Sequence, residues 1–337
     1  MTTIELLNKI CDLLTDNPDA LDDMNWHEVT ECVECELQER KALYPGLQFD
    51  YIMADIKRIE ERLDSAQVLG DVFSLLLLVS GLKGMITVAP NLDYYTAFKS
   101  QYTYLRAYKR HHSENTVIVI GDSHVNFFSG NEHISLNPMV KDINLCESIN
   151  SLPFTVLHLG PALAYNCNKT GSFSGFYEKT DFLIKDFFKP GCGIVLSLGE
   201  IDIRVHVLKQ AEKQKKTVEE IIESVLDEYL IFMNGLKEGG FSVFCWGPIA
   251  SQKDDTPQDP MFPRIGTEIQ RNKATAYFNE RLEELCLEQG IGFLSIFREL
   301  ITDEYRTRGE YLSDDNFHLG QKAMELALPV FRKKGLL

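Results

Sequence analysis

The chain has 337 residues, 44% of them apolar, and a formal net charge of −16 from 34 basic and 50 acidic side chains. This length allows one large domain or two of ordinary size, and the composition is that of a globular protein with a sizeable core. So negative a surface repels phosphate backbones and anionic membranes, and we therefore expect no nucleic acid partner.

The first part of the chain has apolar side chains at helical spacing, without the alternation that is typical of strands. One such helical face is formed by Ile4, Leu7, Cys11 and Leu14. A second is formed by Ile52, Ile56, Ile59 and Leu63. We predict an all-helical accessory domain over residues 1–112, followed by a second domain over residues 113–337.

The helical region also contains a strongly acidic stretch. From Asp12 to Glu39 there are ten acidic residues and no Lys or Arg. A solvated helix face explains this pattern. The alternative is a docking surface for a basic protein partner or for a second copy of the chain.

Targeting, membrane and metal signals are weak. The N-terminus soon turns acidic and does not resemble a signal peptide. The most apolar run, Val72–Ser80, is far shorter than the ~20 residues of a membrane span. The eight cysteines therefore predict reduced thiols in a cytoplasmic protein. Cys32 and Cys35 have the spacing of half a zinc site, but with only His27 nearby we expect no metal.

From Thr116 onward, short apolar runs alternate with helical stretches. The runs are Thr116–Ile120, Phe154–Leu159, Gly193–Leu198, Ser242–Trp246 and Gly292–Ile296. Such runs are typical of strands that are buried on both faces of a parallel sheet. A capping box at Thr217 and a helix from about Thr267 to Gln289 lie between them. The pattern predicts a doubly wound α/β domain with five parallel strands.

The first predicted strand ends in the tetrapeptide Gly121-Asp122-Ser123-His124. In an open parallel sheet, ligands bind beyond the carboxyl ends of the strands. A glycine permits a sharp turn, after which Ser123 can project its hydroxyl above the sheet, beside helix N–H groups. A serine in this position is also a common helix cap, so the tetrapeptide alone leaves both interpretations open.

A second polar motif lies near the other end of the chain, where Asp315 and His318 are three residues apart. In a tight turn, this spacing lets the carboxylate reach Nδ1 of the imidazole and leaves Nε2 to accept a proton. A serine hydroxyl is a poor nucleophile without such a base. Taken separately, the pair could also be a capped turn with a surface histidine.

Together the two motifs resemble the first and last sequence blocks of the SGNH, or GDSL-like, hydrolases. Gly121-Asp122-Ser123 matches the first block, Asp315 and His318 match the last, and the resemblance covers roughly residues 114–337. It implies a flavodoxin-like fold with Ser123 as nucleophile, His318 as general base and Asp315 as the residue that orients the base. We expect no metal and no organic cofactor.

The middle blocks of that family match less completely. Gly160 matches the glycine whose N–H donates to the oxyanion, but Gly199-Glu200-Ile201-Asp202 stands where the family has Gly-x-Asn-Asp. The side chain of Ile201 cannot donate a hydrogen bond, and losing one oxyanion donor typically costs ~10²–10³ in rate.

Three side chains are candidates for replacing that donor. Arg204 and His206 lie just downstream, and Asn166 follows Gly160. Arg204 could instead form a local salt bridge with Glu200 and Asp202, or bind an acidic or sugar-like group of the substrate.

The resemblance implies hydrolysis of a carboxylic ester, such as an O-acetyl group on a carbohydrate, through an acyl-enzyme. The absence of a large apolar segment near the site favours a short-chain acyl group. A small ester is then the expected partner of the site. Two alternatives stay open. The domain could be a catalytically weakened binding or interaction module, or an acyltransferase that uses the same triad.

Overall fold

The computed structural model describes residues 117–129, 143–144, 154–186, 188–258, 262–313 and 315–337, together with positions 5, 9, 27, 28, 31, 32, 35 and 38. These eight single positions are helical and exposed. Otherwise the predicted helical domain over residues 1–112, and its boundary at residue 113, lie outside the described residues and stay a prediction. No helix in the described part of the chain is long and apolar enough to cross a membrane.

The domain is built on one six-stranded sheet. Its strands are β1 (Val117–Gly121), β2 (Ile143–Asn144), β3 (Phe154–His158), β4 (Gly193–Ser197), β5 (Ser242–Trp246) and β6 (Gly292–Leu294). The five predicted strands are all present, and all of them run parallel. The sixth strand, β2, pairs antiparallel with β3 and was not predicted, since two residues contain no readable alternation.

The strand order is β2-β3-β1-β4-β5-β6. Without β2, this is the flavodoxin-like order, in which the chain leaves the first strand to one side and later crosses to its other side. The predicted doubly wound α/β fold is therefore confirmed. The point where the order reverses lies between β1 and β4, so the segments that follow these two strands flank one crevice.

Among the residues that the structure describes, five α-helices cover the sheet. They are α1 (Phe176–Asp186), α2 (Leu208–Gln214), α3 (Val218–Glu238), α4 (Glu268–Gln289) and α5 (Met324–Lys333). The capping box predicted at Thr217 is present, and the side chain of Thr217 accepts a hydrogen bond from Glu220 N–H. A second capping box begins α4 at Thr267, and Gly290 ends that helix in the left-handed region at φ 62°.

The residues of β1 alternate between two cores, one on each face of the sheet. Ile118 and Ile120 belong to the core under α1, α3 and α4. Val117 and Val119 belong to the other core, which also contains the aromatic side chains of Phe127, Phe128, Phe154, Trp246, Phe297 and Phe331. Cores on both faces explain why the strands are almost continuously apolar. Phe127, Phe128 and Trp246 are therefore packing residues of this core.

The carboxyl ends of β1 and β4 approach so closely that only glycine fits at position 121. A Cβ atom there would lie 2.1 Å from Ser197 O and 2.8 Å from Val125 Cγ1. Real Cβ atoms do not come so near to a backbone oxygen, so a larger residue would force the two strand ends apart.

Two glycine substitutions should therefore have opposite effects on stability. Gly121→Ala should lower the free energy of unfolding by about 3 kcal/mol or more, because the new methyl group overlaps the backbone of β4. Gly235→Ala should raise it by about 0.5–1 kcal/mol, because alanine is the better helix former. Gly235 lies within α3, and apart from its chain neighbours and the backbone of its own helix no atom would lie within 4 Å of its Cβ. Urea unfolding measures both, and a stable Gly121→Ala variant would contradict the close approach.

Candidate active site

The side chains of Ser123, His318 and Asp315 form one continuous hydrogen-bonded chain at the carboxyl end of β1. Ser123 Oγ lies 2.7 Å from His318 Nε2, although the two residues are 195 positions apart. On the other side of the ring, His318 Nδ1 lies 2.5 Å from Asp315 Oδ2. The two ends of the predicted domain therefore meet in this crevice. The carboxylate faces Nδ1 and the hydroxyl faces Nε2, which is the geometry that a base for Ser123 requires.

The loop that contains Asp315 and His318 is held in shape by Asp315 itself. Its Oδ1 atom accepts hydrogen bonds from Ser313 Oγ at 2.6 Å and from the backbone N–H groups of Phe317 and His318 at 3.0 Å. Asn316 adopts a positive φ of 63°, which asparagine tolerates better than most residues. These hydrogen bonds orient the carboxylate independently of its contact with the imidazole.

The segment that precedes this loop is fixed to the start of α4 through Thr307. Glu268 at the start of α4 accepts a hydrogen bond from Thr307 N–H at 2.6 Å. Asn272, one turn later, donates to Thr307 Oγ1 at 3.0 Å. After the loop, Gln321 Nε2 donates to Phe127 O at 2.8 Å. This hydrogen bond links the segment that follows His318 to the turn after β1.

The electrostatics of the pair favour a neutral imidazole beside a charged carboxylate. Burial lowers the pKa of His318 below its ordinary value, and the nearby His124 acts in the same direction, against the raising effect of Asp315. Burial raises the pKa of Asp315, but the hydrogen bonds and charge of His318 outweigh it and hold that pKa well below its usual range. A neutral histidine is the form that can accept a proton from a hydroxyl.

A second polar cluster, made of His124, Glu200 and Arg204, lies beside the triad. His124 Nε2 is 3.0 Å from Glu200 Oε2, and Arg204 Nε donates to Glu200 Oε1 at 2.7 Å. Arg204 also donates to Phe262 O. Of the interpretations left open for Arg204, the local salt bridge with Glu200 is the one observed. Arg204 is almost fully buried, and its described contacts give no support to a role as oxyanion donor.

Asp202 holds the segment that follows β3. Its carboxylate accepts hydrogen bonds from Ala164 N–H at 2.7 Å and from Tyr165 N–H at 3.2 Å. Burial raises the pKa of Asp202 to about 7, against the lowering effect of these two N–H groups. Asp202 pairs with backbone groups and makes no described salt bridge with Arg204.

Gly160 lies at the start of that segment, next to the turn that contains Ser123. Leu159 N–H donates to Gly121 O at 2.9 Å, which ties the two segments together, and Gly160 has a positive φ of 92°. Within the described residues, no hydrogen bond donated by Gly160 N–H is found. Ser123 begins a 3₁₀-helix, so its N–H has no partner within that helix. Among the described residues, these two N–H groups are candidate backbone donors.

Asn166, another candidate donor, ends the short 3₁₀-helix Ala164–Asn166. Its Oδ1 atom is buried and has no hydrogen-bond partner among the described residues. No described contact joins Asn166 to Ser123 or His318. Its predicted role therefore stays a prediction.

No group of three or more His, Cys, Asp or Glu side chains that could hold a metal is found in the described ranges. Cys32 and Cys35 lie on the exposed face of a helix, and both are free thiols.

Sequence reasoning gave no role to His124, although it stands next to Ser123 in the motif. The ring centroids of His124 and His318 are 4.7 Å apart, so the two imidazoles are packing neighbours. The only available signal was that a second titratable residue directly follows the predicted nucleophile. Its contact with His318 depends on a loop almost two hundred residues away, which local patterns do not describe.

Comparison with known proteins adds only distant likenesses. No known family description matches the chain, and no curated protein does. A GDSL-like lipase from Bacteroides thetaiotaomicron VPI-5482 is similar in structure at 10% identity, with 71% of this chain and 97% of that chain covered and a TM-score of 0.42. An acetyl xylan esterase is similar at 13% identity, with 65% and 98% covered and a TM-score of 0.37.

At such low values, these likenesses concern the arrangement of the backbone alone. The described part of this chain is a doubly wound α/β domain of flavodoxin-like order, with a Ser-His-Asp chain at the point where the strand order reverses. This is the arrangement that the resemblance to the SGNH hydrolases implies.

Asp202 should make the stability of the domain depend on pH. The folded-state pKa of Asp202 is about 7, above the ordinary value of 3.8. The contribution of Asp202 to the free energy of unfolding is therefore fully present below pH 3.8 and is lost as the pH rises through about 7. The free energy of unfolding of the wild type should therefore fall, relative to that of Asp202→Asn, between these two pH values. Denaturant unfolding at several pH values measures the difference.

Asp227→Asn, on the exposed face of α3, controls for the loss of one acidic charge. If the wild type and Asp202→Asn had parallel pH profiles, Asp202 would not be the titrating group.

Proposed function

We propose that this chain is a serine ester hydrolase that acts on a short-chain carboxylic ester. The observation that supports this function most strongly is the hydrogen-bonded chain from Ser123 Oγ through His318 to Asp315, at 2.7 Å and 2.5 Å. No metal ion and no cofactor is needed for this reaction, because the triad supplies the nucleophile and the base.

In the proposed first step, Ser123 Oγ attacks the carbonyl carbon of the ester while its proton passes to His318 Nε2. The tetrahedral intermediate collapses, the bond to the alcohol oxygen breaks, and His318 returns the proton to that oxygen. Water then attacks the acyl-enzyme, again giving a proton to His318. Release of the carboxylic acid returns the proton to Ser123.

Two backbone N–H groups, those of Ser123 and Gly160, are the proposed oxyanion donors. The hydrogen bond between Leu159 and Gly121 supports this assignment, since it holds the two segments side by side. The side-chain donor that Ile201 cannot supply is worth roughly 3–4 kcal/mol in barrier. We therefore expect a slower enzyme than one with three donors.

The acyl group of the substrate is proposed to be short, such as acetyl, and to be attached to a small molecule or a carbohydrate. The apolar residues nearest to Ser123 in sequence support a short acyl group. Phe127 and Phe128 are buried in the core on one face of the sheet and contact Trp246 there. Neither ring is available to line a long acyl pocket.

Replacing the proposed nucleophile should abolish the activity. Ser123→Ala should lower kcat on p-nitrophenyl acetate by about 10³-fold or more, because the oxyanion donors alone retain only a small part of the catalysis. A fluorophosphonate probe should modify the wild type at Ser123, as measured by peptide mass spectrometry. Ser224→Ala, on the exposed face of α3, is the matched control and should retain both activity and labelling.

If the wild type hydrolyses neither short nor long p-nitrophenyl esters and resists the probe, the domain is a binding module. If activity appears only when an acceptor alcohol is added, the protein is an acyltransferase.

The carboxylate of the triad should affect turnover more than binding. Asp315→Asn should lower kcat by about 10⁴-fold with little change in KM, because an amide donating to Nδ1 favours the tautomer that presents N–H to Ser123. Steady-state kinetics measures both parameters, with the exposed Asp303→Asn as control. A rise in KM at constant kcat would instead assign Asp315 to substrate binding.

A further inference from the structure

The cluster of His124, Glu200 and Arg204 is buried, and its side chains are only 5–7% exposed. Glu200 lies between the other two side chains and accepts a hydrogen bond on each of its carboxylate oxygens. Leaving a buried carboxylate without partners would be costly, so the two basic side chains stabilise Glu200 in its charged form. The proposed hydrolysis does not use any of these three residues.

The cluster lies directly against the loop that holds the triad histidine. The ring of His124 is 4.7 Å from the ring of His318, at an interplanar angle of 54°. Arg204 lies 5.3 Å from the ring of Phe317, which is itself 4.0 Å from the ring of His318. The histidine of the cluster is therefore in direct contact with the triad, and the arginine is one ring away.

The charges within the cluster follow from these contacts. Burial raises the pKa of Glu200, but Arg204 and His124 outweigh it and hold that pKa well below its usual range. Burial lowers the pKa of His124, but Glu200 outweighs it and raises that pKa above its ordinary value. The contact with Glu200 therefore favours the imidazolium form of His124.

We propose that His124 is a positioning residue which, held as a cation by Glu200, packs against His318 and opposes the protonation of the triad histidine. Two like charges at this separation repel each other, so His318 stays neutral to lower pH than it would alone. The effect on catalysis rests on the proposed function, whereas the effect on protonation does not.

Other groups near His318 act in different directions. Asp315 on its own loop and Glu200 at the end of β4 favour its protonation. The carboxylate of Asp122 accepts a hydrogen bond from the backbone N–H of His124, and burial raises the pKa of Asp122 to about 6. Because Asp122 is also titratable and contacts His124, a test has to separate the effects of these two residues.

The experiment is an NMR titration of the histidine rings in the full chain labelled with ¹⁵N-histidine. In the wild type, His124 should stay protonated to a higher pH than His318. His124→Gln can keep a hydrogen bond to Glu200 but removes the charge, so the titration midpoint of His318 should rise by about one pH unit. His318→Gln identifies the resonances of the triad histidine.

Two further variants separate the neighbouring charges. Glu200→Gln should lower the titration midpoint of His124, because the anionic partner is lost. Asp122→Asn removes a negative charge, so it should leave the midpoint of His318 unchanged or lower it. A rise in Asp122→Asn like that in His124→Gln would mean that any disturbance of the site shifts His318, and it would overturn the proposal.

Ester hydrolysis gives an independent readout. In His124→Gln, the acid limb of kcat/KM should move to higher pH by the same amount as the NMR midpoint, which a merely structural role would not produce. If hydrolysis is absent but the midpoint shifts, the proposed function fails and the role of His124 stands. The proposal is contradicted if the titration midpoint of His318 is unchanged in His124→Gln. It is also contradicted if, in the wild type, His124 becomes neutral at a pH at which His318 is still protonated. This last observation needs no variant to fold.

Discussion

The close contact between β1 and β4 at Gly121 is the constraint on which the site depends. Since no side chain separates the two strand ends, the segments that follow them leave the sheet side by side. His124 after β1 can therefore reach Glu200 after β4. The flavodoxin-like order opens the crevice at this same place, because the neighbouring connections diverge to opposite sides. The position of the crevice and the chemistry within it thus have one origin.

Much of the fold could be predicted because its signals are local. The strands are short apolar runs, and they are continuous because cores cover both faces of the sheet. The capping box at Thr217 begins α3 and Gly290 ends α4, and each of these signals spans only a few residues of sequence. The pairing of Asp315 with His318 could be predicted for the same reason. A spacing of three residues in a tight turn determines that the carboxylate contacts Nδ1 of the ring.

The features that could not be predicted depend on contacts between distant residues. Arg204 and Glu200 are four residues apart, so their pairing was foreseen as one alternative. Only the burial of both side chains decides between a salt bridge and a group that faces the substrate. The packing of His124 on His318 depends on how the C-terminal loop crosses the turn after β1. The helical region over residues 1–112 stays a prediction from its periodicity.

The separation of Ser123 from His318 by 195 residues has a consequence for how the protein is made. During synthesis, the turn with Ser123 is completed long before the loop with its base leaves the ribosome. Phe331 of α5 packs against Phe128 and Phe154. The core beside that turn therefore cannot be completed until α5 has been synthesised. In the proposed mechanism, a nascent chain therefore has Ser123 but not the base that activates it. The proposed hydrolysis can then begin only after the loop with His318 has folded against the turn with Ser123.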